Sequence, residues 1–349
     1  MSENGNSVAS KLKKLLEVPR KRAAIFAHAG PDPDALGSMM AVHWLLSKFN
    51  IESDLFYSGH ISHPQNIAMV NLLDPNLRTI EEYSPEHFDF HILVDTVPKN
   101  AGIGNHKIDF DVVFDHHKEN CAVDYDGLFI NFKAGSCCGT IYHVLKEMGF
   151  TFVDGNEADA KIVTALLIGV STDTENLMSD DCSEYEFRAW ADLFTLRNPV
   201  ILRRIVNYER PKFWIDTKAS AAINVVQEEG VAIVGMGFLP SKHRDVIADM
   251  SQEMATWEDV HTAIAFALID GVRVEGSVRS SNASISVPNL CKVLGGKYGC
   301  GGGKLGKGAY RYELGGGCVE EDDSDEMKQK LWEIYREKET KRIQRQIKK

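Results

Sequence analysis

Four short segments hold most of the side chains able to do chemistry: His28 to Ser38 with Asp32 and Asp34, then Asp95, then Asp115-His116-His117, then Thr172-Asp173-Thr174. In each, the Asp or His stands where a run of apolar residues ends. Imidazole nitrogen and carboxylate oxygen together suit a hard or borderline divalent cation. Read singly, each segment has an ordinary alternative: an Asp-Pro turn with an N-capping Asp, a hydrogen-bonded His pair at a strand end, or a helix C-terminal turn. Read together, Asp32, Asp34, Asp95 and Asp173 carry four negative charges. Two divalent cations balance them, with His28 and His116 as neutral imidazole ligands. Two cations about 3.5–4 Å apart are a known solution to phosphoester hydrolysis. One carboxylate bridging both would fix their separation, and Asp95 takes that place in this reading.

Those side chains need elements to hold them. Residues 23–27, 54–57, 91–94 and 111–114 read as buried strands, and 35–48, 136–148 and 158–169 as helices. The alternation predicts an α/β fold, with a doubly wound, mainly parallel sheet and helices on both faces, over residues 18–195. Ligands of such sheets bind beyond the carboxyl ends of the strands, where the four segments fall. A helical connector is read over 196–229 and a smaller α+β domain over 230–318. That domain has strands at 231–236, 262–269, 271–279 and 309–314, and a helix at 288–294 opened by Pro288. A charged helical tail follows over 319–349. Its sparse apolar residues sustain no heptads, so a solvated helix is expected.

The second half adds a different chemistry. Seven basic residues lie between Val272 and Tyr312: Arg273, Arg279, Lys292, Lys297, Lys304, Lys307 and Arg311. Glu275 is the one acidic residue there, within a chain of net charge -11. A local basic patch on an acidic body suits capture of a small anion. Inside it runs Gly301-Gly302-Gly303-Lys304, where consecutive glycines let backbone N–H groups approach a phosphate. The spacing from Gly301 to Gly306-Lys307 fits a P-loop, but Gly308 follows instead of Ser or Thr, and a strand follows instead of a helix, so that reading is rejected.

The strings HAGPDPDALGS, LVDT, FDHH and STDT resemble, in order, the four motifs of the DHH phosphoesterase superfamily. The nearest likeness is to subfamily 1, the group of nanoRNases, 3′-phosphoadenosine 5′-phosphate phosphatases and cyclic-dinucleotide phosphodiesterases. The resemblance covers about residues 20–180. It implies two divalent metal ions, Mn2+ by preference. One is held by His28, Asp32, Asp95 and Asp173, the other by Asp34, Asp95 and His116. It further implies that His117 faces the phosphate and that Asp115 orients the His pair. GSVRSS and the glycine run resemble the DHHA1 substrate-binding domain, which implies that Arg279, Ser280, Gly301, Gly302, Gly303 and Lys304 bind the substrate. Lys304 stands where that family carries His, which leaves the substrate's identity open. A homodimer is a further implication of the resemblance.

Composition bounds the rest. The chain has 349 residues, 44% hydrophobic and 26% charged, and ordinary globular proportions exclude a disordered or fibrous chain. No apolar run approaches the roughly 18 residues of a membrane span, and no apolar stretch near the N-terminus reads as a signal peptide. The acidic charge argues against long duplex nucleic acid as a partner. Seven cysteines without a C-x-x-C read as reduced thiols of a cytoplasmic protein, with Cys137 and Cys138 as packing residues. His60-x-x-His63 and the tryptophans read as surface loop and packing. The expected activity is therefore a two-metal phosphoesterase of short nucleotide substrates spanning a cleft between domains. A linear dinucleotide or a 3′,5′-bisphosphate leads. A cyclic-dinucleotide phosphodiesterase and a nucleotide-sensing binding protein are the alternatives.

Overall fold

The computed structural model describes residues 7–20, 22–117, 126–315 and 323–348. Its contacts divide the chain after Glu209 into two compact units.

The first unit runs α1 (Val8–Leu16), β1 (Arg22–Phe26), α2 (Pro33–Ser47), β2 (Glu52–Tyr57), α3 (Pro64–Leu73), β3 (Leu77–Thr79), β4 (Phe90–Val94), β5 (Val112–Phe114), β6 (Leu128–Ile130), α4 (Cys137–Glu147), α5 (Glu157–Asp173), α6 (Glu184–Leu193) and α7 (Pro199–Val206). The sheet order is β3-β2-β1-β4-β5-β6, with every pair parallel. The chain leaves β1 in one direction for β2 and β3, then returns beside β1 as β4. The crevice at this reversal, past the carboxyl ends of β1 and β4, is where such sheets bind ligands.

Strand residues alternate between two cores, as period-two geometry requires. Ile25, Leu55, Ile92 and Val112 pack with residues of all seven helices. Ala24, Phe26, Phe56, Leu93 and Val113 face the other way, onto Ile80, Tyr83 and Phe110. The second face is thus closed by short turns and aromatic rings rather than by the helices the alternation predicts there. α2 is apolar nearly all round and buried, with Pro33 in its first turn and Asp32 as its N-cap. Gly37 brings it close to α5: a Cβ there would sit 2.7 Å from Ala165 O.

The second unit runs α8 (Lys212–Ala222), β7 (Val226–Glu228), β8 (Val231–Leu239), α9 (Val246–Met254), β9 (Thr262–Ile269), β10 (Arg273–Ser280), α10 (Val287–Gly295), β11 (Gly299–Lys304), β12 (Lys307–Glu313) and α11 (Asp325–Ile347). Its sheet order is β11-β12-β10-β9-β8-β7; only β8 and β9 pair in parallel. Trp214 of α8 and Met250 of α9 cover one face, and Leu290 of α10 with Trp332 and Ile343 of α11 the other.

Three expectations change here. The helices read as a connector are divided, Ile205 of α7 packing in the first unit and Trp214 of α8 in the second. The glycine run, left outside the strands read from sequence, is the edge strand β11, paired antiparallel with β12. The tail helix is docked: Trp332, Glu339 and Ile343 are buried against the second sheet. Residues 320–322 of its acidic lead, with Cys121 and Cys318, lie outside the described residues. Among the described residues no helix is long and apolar enough to cross a membrane.

Candidate metal centre

The turn between β1 and α2 delivers His28, Asp32 and Asp34. Asp32 Oδ1 accepts the amides of Asp34 and Ala35, both at 3.0 Å, which caps α2 and fixes the turn. Asp34 is fully buried. Its Oδ2 accepts from the Cys137 amide at 2.6 Å and its Oδ1 from the Cys138 amide at 2.8 Å. These are the first two residues of α4, so the carboxylate sits at the positive end of that helix. Gly169 makes room for it: a Cβ there would lie 3.0 Å from Asp34 Oδ1 and 2.5 Å from Cys138 Sγ. Cys137 and Cys138 do pack, and burial pushes both thiols well up, but their amides also hold a site carboxylate.

Asp95 directly follows β4 with φ +59°, in the left-handed region that few side chains adopt. Its amide donates to Phe114 O at 2.8 Å, tying it to the end of β5, from which His116 follows. One carboxylate then faces two imidazoles. Asp95 Oδ2 lies 3.4 Å from His28 Nε2, and Asp95 Oδ1 lies 3.3 Å from His116 Nε2. Asp32 Oδ1 lies 3.9 Å from His28 Nε2. Asp173 Oδ2 and Asp34 Oδ2 lie 3.4 and 3.9 Å from His116 Nε2.

Three sets of ligand atoms each gather within 4.8 Å: His28, Asp32 and Asp95; Asp34, His116 and Asp173; and Asp95, His116 and His117. All six residues read as metal ligands therefore meet, with Asp95 common to two sets. Asp173 departs from the grouping the motifs imply, standing with Asp34 and His116 instead of His28 and Asp32. α5 carries it there, because Gly169, one turn earlier, presses on Asp34.

The cluster fits divalent cations on its own terms. Asp95 Oδ1 and His116 Nε2 are buried without a hydrogen-bond partner, each costing about 1–3 kcal/mol unless something satisfies it. Asp173 closes α5 at its negative end, where a carboxylate is unfavourable without a cation nearby. Without metal, protons answer the surplus of negative charge. Burial alone would depress His116, but Asp95, with Asp34 and Asp173, outweighs it and pushes the imidazole up to about 10. His28 rises likewise against burial, through Asp32 and Asp95. Burial, with Asp95 and Asp173 behind it, lifts the Asp34 carboxyl well up, whereas the two imidazoles overcome burial and hold Asp95 low.

His117 Nδ1 lies 2.7 Å from Oδ1 of the fully buried Asp115, which fixes the ring. Asn131 Nδ2 donates to His117 O at 3.1 Å, anchoring the backbone. Asn131, Gly169 and the α4 amides were not singled out in the sequence. Backbone donors leave no trace in residue identity, and Asn131 follows a strand too short to stand out.

Residues 22–170 match the model of the DHH family, N-terminal domain. The first unit thus carries a DHH-family N-terminal domain. An uncharacterized protein of Methanocaldococcus jannaschii is 26% identical over 313 residues, covering 89% of this chain; the chain spans 62% of that relative's length. An exopolyphosphatase-related protein of Bacteroides fragilis shares the fold at TM-score 0.66 and 14% identity, with 97% of each chain covered. A RecJ of Thermus thermophilus in complex with Mn2+ aligns at TM-score 0.48 and 14% identity, over 97% of this chain and 54% of that one.

The residues read as substrate-binding lie in the second unit. Arg279 is held on three sides: Nε donates to Gln252 Oε1 at 2.7 Å, and Nη1 to Ser277 Oγ and Val278 O, both at 3.1 Å. Ser280 Oγ lies 2.8 Å from Thr262 Oγ1. Gly301, Gly302, Gly303 and Lys304 pair with Tyr310, Ala309, Gly308 and Lys307. The glycines have a packing reason. A Cβ on Gly301 would lie 2.0 Å from Cys291 O of α10, and one on Gly303 would lie 2.2 Å from Lys307 O, whereas Gly302 faces open space.

Proposed function

We propose that the protein hydrolyses phosphoester bonds of short nucleotides, a linear dinucleotide or a 3′,5′-bisphosphate first, with two divalent cations and Mn2+ as the preferred ion. The observation that carries the reading is the Asp95 carboxylate, which turns one oxygen to His28 and the other to His116. His28, Asp32 and Asp95 would hold one ion, and Asp34, His116 and Asp173, with Asp95, the other. When bound, such ions supply a more acidic water and positive charge for the phosphate oxygens.

The chain's own residues do the rest. Asp115 fixes the ring of His117 through Nδ1, leaving Nε2 as the end that meets the phosphate or its leaving oxygen. The α4 amides orient Asp34 so that it need not reorganise when an ion binds. Arg279, immobilised by Gln252 and Ser277, is a preformed fork for an anionic group, and Lys304 adds a point charge. The net charge of -11 disfavours a long duplex, which supports a short substrate.

The test is product release with Mn2+ from a linear dinucleotide, a 3′,5′-bisphosphate nucleotide, a cyclic dinucleotide and a long single strand. Fast turnover of one or both of the first two supports the proposal. Preference for the cyclic compound replaces it with a cyclic-dinucleotide phosphodiesterase. Binding without cleavage of any, with metal shown bound, replaces it with a nucleotide sensor.

A further inference from the structure

Next to Arg279 the second unit contains a hydrogen-bonded chain of side chains that the metal centre does not use. His261, just before β9, packs its ring on the backbone of Gly230, where a Cβ would lie 2.4 Å from the ring. The amides of His261 and Thr262 both donate to Gly230 O, at 2.9 and 3.1 Å. The ring is thereby held with Nδ1 2.9 Å from Thr262 Oγ1. Thr262 is fully buried, and its Oγ1 lies 2.8 Å from Ser280 Oγ. Ser280 is partly exposed, and its Oγ also accepts the Asn282 amide at 3.2 Å.

A hydroxyl has one proton and two lone pairs, so the chain has two possible directions. In one, His261 Nδ1–H donates to Thr262, and Thr262 donates to Ser280. Both Ser280 lone pairs are then filled, by Thr262 and Asn282, and its proton is left to point outward. In the other, His261 Nδ1 accepts from Thr262, Ser280 donates inward, and a lone pair faces outward. Only the first direction complements an anionic oxygen, and the adjacent Arg279 marks this surface as one for anions.

We infer that His261 is a positioning residue: as the Nδ1–H form it sets, through Thr262, the Ser280 hydroxyl as a donor to an anionic group of the substrate. This rests on the reading that Ser280 touches the substrate.

The experiment measures kcat and KM of the full-length protein with Mn2+, on a linear dinucleotide and on a 3′,5′-bisphosphate nucleotide. The variants are Ser280→Ala, Thr262→Val, Thr262→Ser, His261→Phe and the Ser280→Ala/Thr262→Val pair. Ser280→Ala and Thr262→Val are each expected to raise KM about tenfold with kcat within twofold, as for loss of one charge-assisted hydrogen bond. The double variant should be no worse than either single one, and Thr262→Ser should restore KM. His261→Phe keeps the ring without Nδ1 and repeats the effect, which covers the case in which Thr262→Val does not fold. An unchanged KM in Ser280→Ala removes Ser280 from the substrate site. A raised KM there, with Thr262→Val and His261→Phe unchanged, overturns the relay alone. Imidazole 15N shifts read the tautomer without any substrate, and an Nε2–H form of His261 also overturns it.

Discussion

Asp95 Oδ1 and His116 Nε2 face each other at 3.3 Å, both buried, and neither completes a hydrogen bond. Their arrangement suits an ion that takes both as ligands. Asp95→Asn tests this more cleanly than Asp95→Ala, because Asn tolerates the φ of +59° that Asp95 holds, and Ala does not. The variant should stay folded, lose at least one Mn2+ site by calorimetric titration, and lose at least about a thousandfold in turnover, as expected when a metal mechanism is removed. Retained turnover would reject Asp95 as the bridging carboxylate.

The metal-free protein should lose stability as pH rises. His116 and His28 are both raised in the fold, His116 to about 10. A raised imidazole contributes stability that is complete below its unfolded value near 6.5 and is lost as pH climbs through the folded value. The melting temperature without metal should therefore fall between about pH 6.5 and pH 10. Saturating Mn2+ should remove the fall, because the ions replace the protons, and Mn2+ affinity should rise over the same range. A flat profile without metal would mean the imidazoles are neutral in the empty site.

Gly301 and Gly302 separate two reasons for a glycine. A Cβ on Gly301 would lie 2.0 Å from the backbone of α10, so Gly301→Ala should destabilise the second unit by about 1–3 kcal/mol, as overpacking does. Gly302 has open space around its Cβ direction, so Gly302→Ala should leave the melting temperature nearly unchanged. If β11 also meets the substrate, Gly302→Ala raises KM at unchanged stability. No change in KM would leave the glycine run with a packing role only.

These comparisons show what residue types reveal and what they hide. The candidate metal ligands were legible because each segment that carries them closes an apolar run, and in a parallel sheet the ends of neighbouring strands meet. The pairing of Asp173 with His116 depends on close packing between α2 and α5, which residue types do not report. β11 was hidden because glycine has low strand propensity; the approach of α10 decides there instead. The docking of α11 was hidden by one charge. Trp332, Tyr335, Glu339, Ile343 and Ile347 follow helical spacing, but a carboxylate in the middle makes the stripe read as solvated.

That carboxylate gives the last prediction. Glu339 Oε1 accepts from Tyr310 OH at 2.8 Å and Oε2 from Tyr312 OH at 2.8 Å, while Arg342 donates to both oxygens at 2.7 Å. All its partners lie on β12 or on α11 itself, so one buried acid fastens the helix to the sheet. Glu339→Ala strips the buried Tyr310 hydroxyl, the half-buried Tyr312 hydroxyl and a guanidinium of their acceptor together. It should cost about 3–5 kcal/mol, as breaking a buried charged network does. Glu339→Gln keeps the volume but turns an amide donor toward Arg342, so it should cost less than Ala and more than a surface change. Denaturant unfolding measures both, and hydrogen exchange in 325–347 shows whether the loss lies in the docking of α11. An Ala variant as stable as the parent, with protection in α11 intact, would mean that Trp332 and Ile343 alone hold the helix.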